Sequence, residues 1–413
     1  MRALLVLLCV AWSASGQEWV QELRSGFLYV GSLTVDFAGN SYVSGFSGGT
    51  NVLLLGSTNL APGPFFIRYN CHGRMDYAHE TAETRVLATV GNKVFALDGT
   101  NLFQVRSKGR LVRKAILASP GLSVRSISPC DGHSLVIAGE FRESLTIGRK
   151  VLFSSVTNGR TFFVARLTTA GKPIWITEVP HLFISDVAGT REGGAYVLLL
   201  GYSVVGTNEY GIPIQLRNDI PIRALNERGE VSWESGIAGN YSGFGSSIAV
   251  DRDGRCFVAG RLGEGYVLVG DQVYRPIGSR TAFVYGFHKT GKPSFVWMLN
   301  RPRGPFSGGV GQGSLFSGAS QVTVDRQNNW LVGNYYYPGD GSGSDGLVVK
   351  NGDQNSAVRF GGTGSDMFQR MAVGRANSLF IAGQCWFRAS DSVSSIGTAR
   401  MTNNGAFLAK FKL

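Results

Sequence analysis

The chain runs to 413 residues, of which 57 are Gly, roughly twice ordinary usage. Charged residues make up 16% and hydrophobic residues 43%, a balance that excludes a disordered chain as well as a Glu/Lys/Ala-rich coiled coil or helix bundle. The formal net charge of +12 is spread thinly. Its densest stretch is Arg106, Lys108, Arg110, Arg113 and Lys114, which fits solubility or general attraction to polyanions and not specific nucleic-acid recognition.

In chain order, residues 1–16 read as a signal peptide. Arg2 supplies a positive start, Ala3 to Trp12 an apolar stretch, and Ala14-Ser15-Gly16 a small-residue cleavage site before Gln17. The stretch is too short to cross a bilayer, and Val197-Leu198-Leu199-Leu200, the most apolar run later on, is strand-sized. Residues 17–413 are therefore expected to form one secreted or extracytoplasmic domain that is not an integral membrane protein. Four cysteines remain after cleavage: Cys71, Cys130, Cys256 and Cys385. They show no CxxC or zinc spacing and fall too far apart in the repeats described next for a bridge, so four separate thiols are expected.

From there a strand pattern recurs. Its units are an apolar strand, a polar turn, a second apolar strand ending in Gly, a long loop, a third strand, a tight turn and an aromatic fourth strand. The second-strand signature appears as Tyr42-Val43-Ser44-Gly45, Val136-Ile137-Ala138-Gly139, Phe257-Val258-Ala259-Gly260, Leu331-Val332-Gly333 and Phe380-Ile381-Ala382-Gly383. Weaker copies at Val94-Phe95-Ala96-Leu97 and Val197-Leu198-Leu199-Leu200-Gly201 bring the total to seven. The mean spacing is about 56 residues, room for four strands and one long loop. An aromatic follows the third-turn Gly by four residues at Tyr77, Trp175, Trp233 and Phe295, where packing between facing sheets wants a large ring; Arg113 and Ser356 break the pattern in the second and sixth copies. The last copy stops after its third strand, Ala406 to Phe411, while Glu18 to Leu23 supplies the missing aromatic fourth strand. The fold expected is all-β, a seven-bladed β-propeller of four-stranded antiparallel blades, closed by pairing of the N-terminal strand with the C-terminal blade.

Val35-Asp36-Phe37-Ala38-Gly39-Asn40-Ser41-Tyr42-Val43-Ser44-Gly45, Ile248 to Gly260, Thr161-Phe162-Phe163-Val164-Ala165-Arg166-Leu167 and Ala406 to Phe411 together resemble the SBBP-type seven-bladed β-propeller repeats of secreted proteins. The resemblance spans nearly all of residues 17–413. It implies an exported propeller and no particular reaction.

Short polar turns link first to second and third to fourth strands, which puts the long loops on the opposite face, the usual place for binding. The longest run from Asn300 to Gly318, with Arg301 and Arg303, and from Asn334 to Asp345, with Tyr335, Tyr336, Tyr337 and Asp340; Trp386 starts the corresponding loop of the last blade. Aromatics beside Arg suit stacking on sugar rings or an acidic partner. These seven residues are the candidate ligand contacts.

Catalytic motifs fail on context. Gly286-Phe287-His288-Lys289-Thr290-Gly291-Lys292 has Pro293 where a phosphate-binding loop needs Ser or Thr, and Gly45-Phe46-Ser47-Gly48-Gly49 lacks the strand-to-helix corner of a hydrolase elbow. Asp340 to Gly346 offers two carboxylates, few for calcium. His72, His79, His133, His181 and His288 are scattered, and Asp36, Asp251 and Asp325 recur where Asp caps its own turn. Asn240-Tyr241-Ser242 is the single glycosylation sequon. No catalytic residue, metal or cofactor is expected. The reading is an exported non-catalytic propeller binding an anionic glycan, surface polymer or protein through its long-loop face. The alternative is a polysaccharide hydrolase or lyase with its site at the central channel mouth.

Overall fold

The computed structural model describes residues 17–24, 27–48, 53–55, 58–81, 86–156, 159–179, 183–200, 203–207, 213–217, 220–269, 271–275, 281–299, 316–336, 344–362, 365–374, 377–386, 394–396, 399–401 and 405–412. Seven four-stranded antiparallel sheets stand as blades around a central channel. The strands nearest the axis are Phe27–Val35, Val86–Val90, Ser123–Cys130, Phe183–Gly189, the end of Val231–Val250, Phe316–Val324 and Ser365–Val373. They touch in cyclic order, and the seventh returns to the first. Among the described residues there is almost no helix, the turn Ser107–Gly109 being one short piece. Among the described residues no helix is long and apolar enough to cross a membrane.

The reason for seven interfaces is visible in the side chains. A strand's residues alternate between two faces, and each face of a blade meets a different neighbour. The buried apolar residues accordingly divide into one cluster per interface. Tyr42, Phe66, Leu87 and Val94 join blades 1 and 2, while Leu331, Phe360, Phe368 and Phe407 join blades 6 and 7.

Closure follows the sequence expectation. Strand Gln17–Arg24 is the outermost of blade 7, antiparallel to Gly405–Lys412 from Gln17 opposite Phe411 to Arg24 opposite Gly405. Leu23 is fully buried at the junction with blade 1, and Lys410 Nζ pairs with Glu18 Oε2 at 2.5 Å.

Polar side chains stitch the inner strands together. Each inner strand except that of blade 2 carries a bulge at one equivalent position, between residues such as Val30 and Ser32 or Ile184 and Asp186. Polar side chains at or beside the bulge reach the next blade. Ser32 Oγ accepts from Leu87 N, Asp186 Oδ2 from Ile248 N, Gln321 Oε1 from Met371 N and Gln369 Oε1 from Val30 N.

The fourth-strand aromatics do the work the sequence assigns them. Trp19 covers Gly73, Tyr77 covers Gly109, Trp175 covers Gly229 and Trp233 covers Gly291, each the glycine of the next blade's third-to-fourth turn. In blade 5 it is Trp297 and not Phe295 that covers Gly352, while Phe295 lies against Gly286 of its own blade and stacks on Trp330. Trp233 Nε1 also donates to Lys289 O at 2.9 Å. Gly171, facing blade 2 where the sequence has no aromatic, meets the Lys114 carbonyl instead.

Two features depart from the sequence reading. Several of the long loops carry hairpins that extend the sheet of the preceding blade. Leu53–Leu55 pairs with Gln17–Arg24, Ser144–Ile147 with Leu111–Ala118, and Ser394–Ile396 with Asp353–Gly362. The connection holding Asn240 is not a loop, because Val231–Val250 runs unbroken from the outer edge of blade 4 to the inner strand of blade 5. Its far stretch pairs with the hairpin arm around Tyr266 to Leu268. The four thiols lie in blades 1, 3, 5 and 7 and are unbridged.

Candidate functional site

Three of the first-to-second turns, those of blades 1, 5 and 6, share one construction. Asp251 Oδ1 accepts from Asp253 N and Arg255 N, and Asp36 and Asp325 cap their turns in the same way. In the Asp36 and Asp251 turns the fourth residue is Gly39 or Gly254, at φ +85° and +79°, a left-handed backbone that a Cβ disfavours. In the Asp325 turn Asn328 takes that position at φ +64°.

The first-to-second turns of blades 3 to 7 enclose a cavity of about 530 Å³ at the channel, lined by Asp131, Thr190, Arg191, Asp251, Arg252, Asp325 and Arg326 among others. That volume lies in the usual range for small-ligand sites. It opens on the short-turn face, opposite the loops that the sequence favours.

The charges around it are unequally committed. Asp131 pairs with Arg166, Asp251 with Arg255 at 2.6 Å, and Asp325 with Lys350 at 3.5 Å. Burial raises the Asp325 carboxyl, but bonds from Asn329 and Gln327 and the Lys350 charge outweigh it, leaving the group below its usual value. Asp131 is likewise lowered: burial raises it, and Ser134, His133 and Arg166 more than reverse that. Each aspartate is thus a spent anion. Arg191, Arg252 and Arg326 are exposed and join no ion pair among the described residues. The Arg326 guanidinium reaches across the mouth to the Phe37 ring of blade 1, 5.7 Å from its centroid, and Phe37 is itself 43% exposed.

Of the residues singled out in sequence, Tyr335 and Tyr336 end strand Trp330–Tyr336 and Trp386 ends Ser378–Trp386, at equivalent places in blades 6 and 7. Arg301, Arg303, Tyr337 and Asp340 lie outside the described residues, as does segment 1–16, which the sequence reading takes for a signal peptide. Among the described residues no three of His, Cys, Asp and Glu gather as metal ligands.

No protein-family model and no curated protein sequence matches the chain. Several solved structures are similar in fold. Acylaminoacyl peptidase from Pyrococcus horikoshii has 12% identity and a TM-score of 0.51, covering 92% of this chain and 53% of the peptidase. Virginiamycin B lyase from Staphylococcus aureus has 10% identity and a TM-score of 0.48, over 96% of this chain and 98% of the lyase. The Dos1 propeller follows at 7% identity and 0.44, over 97% and 96%. Identities this low carry the propeller architecture and no activity, since one fold hosts unrelated chemistries. The likeness to the SBBP-type repeats accordingly extends to the fold, with no family model to narrow it.

Proposed function

We propose that this chain is an exported propeller that works by binding and not by catalysis, holding a glycan, a surface polymer or a protein partner on the ring. One observation supports the reading above others. The channel mouth offers a cavity of ligand size whose three lining aspartates already hold cations and backbone amides, so the described residues that line it include no spare carboxylate pair for hydrolysis. A glycan array combined with pull-down from the native surroundings tests it. Saturable capture without turnover is the expected result. Cleavage or elimination of a polysaccharide by the purified chain would overturn it in favour of an enzyme.

A further inference from the structure

We propose that the short-turn mouth is a site for clustered oxyanions, a compact group bearing two or more phosphoryl or sulfuryl charges. The proposal rests on the binding reading above and names the site and the ligand chemistry. Three observations carry it. The first is charge: Arg166, Arg255 and Lys350 pair with the three aspartates that line the cavity, Arg255 lying also 3.9 Å from Asp253, so among the described lining residues Arg191, Arg252 and Arg326 are the cations with no ion pair.

The second is placement. The three arginines occupy the same position, directly after the first residue of the turn, in three successive blades. They therefore lie along one arc of the mouth, and ring geometry makes them converge. A single surface arginine attracts anions weakly, but several guanidiniums around one concavity meet several oxygens of one ligand with forked donors. The third is order. Asn328 ties the turns of blades 5 and 6 by donating from Nδ2 to Asp253 Oδ2 at 2.8 Å and accepting from Arg252 N at 3.3 Å. The Arg326 guanidinium is itself positioned by the Phe37 ring, 5.7 Å from its centroid. Less freedom is lost on binding when the donors are already positioned.

A cavity of this size suits a compact, densely charged group more than a long polymer laid across the face. Two sources share that chemistry, a free polyphosphorylated small molecule and the sulfated end of a sugar chain, and the experiment separates them. Isothermal titration of residues 17–413 with tripolyphosphate and with a sulfated disaccharide, at low and moderate salt, reads the site directly. At least one should bind with a single saturable site, with the preferred probe identifying the source. Affinity should fall tenfold or more in Arg252→Ala and in Arg326→Ala, and the salt dependence should shrink with each removed cation. Arg228→Ala, an exposed position in a third-to-fourth turn outside the cavity, should change affinity less than twofold. Equal loss in Arg228→Ala would reduce the effect to net charge and overturn the proposal, as would failure of both probes to bind wild type at low salt. If the array and pull-down yield a partner whose affinity ignores Arg252 and Arg326, the site assignment falls while the binding reading stands.

Discussion

Asp186 sits in the inner wall, where Ser126 Oγ donates to one of its oxygens at 2.6 Å and Ile248 N to the other at 3.0 Å. Burial pushes its carboxyl above the ordinary range despite those bonds. A raised value in the folded state stabilises the protein at acid pH, and that contribution is lost as pH rises through the shifted value. Asp186→Asn keeps an acceptor for Ile248 and carries no charge. Its urea midpoint should therefore gain on wild type as pH climbs from about 4 to 8; curves that stay parallel would contradict the assignment. Asp325 runs the other way. Its lowered carboxyl contributes stability above the unfolded-state value that is lost as pH falls through the folded one. Asp325→Asn should consequently be weaker than wild type at neutral pH, and the gap should close under acid.

Gly291 exposes a different constraint at the same scale. Its φ is +82°, and a Cβ there would stand 2.8 Å from the Trp233 ring. Gly291→Ala pays a left-handed backbone and an overlap with the indole, together about 2–4 kcal/mol, measurable as a lower denaturation midpoint. Both halves of this contact are legible in the sequence as a Gly and an aromatic recurring in most copies, the second and sixth excepted. What the sequence does not reveal is that the ring covers the glycine of the following blade and not its own, because that partner comes from another repeat.

At the scale of elements, the hairpins on the long-loop face join neighbours. Leu145 and Ile147 are fully buried beside Leu117, and Leu117 pairs with Ile147 across the blade boundary. Replacing the hairpin Ser144–Phe153 by a short Gly/Ser linker should cost about 3–6 kcal/mol from two lost apolar side chains. Unfolding indistinguishable from wild type would mean that the hairpin is only a loop. The strands, their turns and their grouping into seven were readable because alternation, Asp caps and glycines are local signals. These hairpins were not, since short runs such as Leu53-Leu54-Leu55 or Ser144-Leu145-Thr146-Ile147 become strands only when a foreign edge is there to pair with. The channel-mouth site escaped for a related reason. Its parts lie a blade apart in sequence, and their one trace is an Arg directly after the leading turn residue at Arg191, Arg252 and Arg326.

For the molecule as a whole, the ring is held by seven equivalent interfaces, one of them closed by a strand from the opposite end of the chain. Removing residues 17–24 strips blade 7 of its outer strand, uncovers the edge at Gly405–Lys412 and withdraws Leu23 and Trp19 from the junction with blade 1. Thermal unfolding should shift downward as one cooperative transition, with exposed strand edge favouring self-association. An unchanged melting profile would mean that the ring does not depend on this pairing.

That same pairing has a temporal side. The partner of Gln17–Arg24 is Gly405–Lys412, so the first strand must wait, unmatched, while six intervening blades are made. Contacts this remote in sequence are slow to find each other. The late step in folding is therefore expected to be the docking of that waiting strand, and a growing chain carries two complementary sticky edges until it happens.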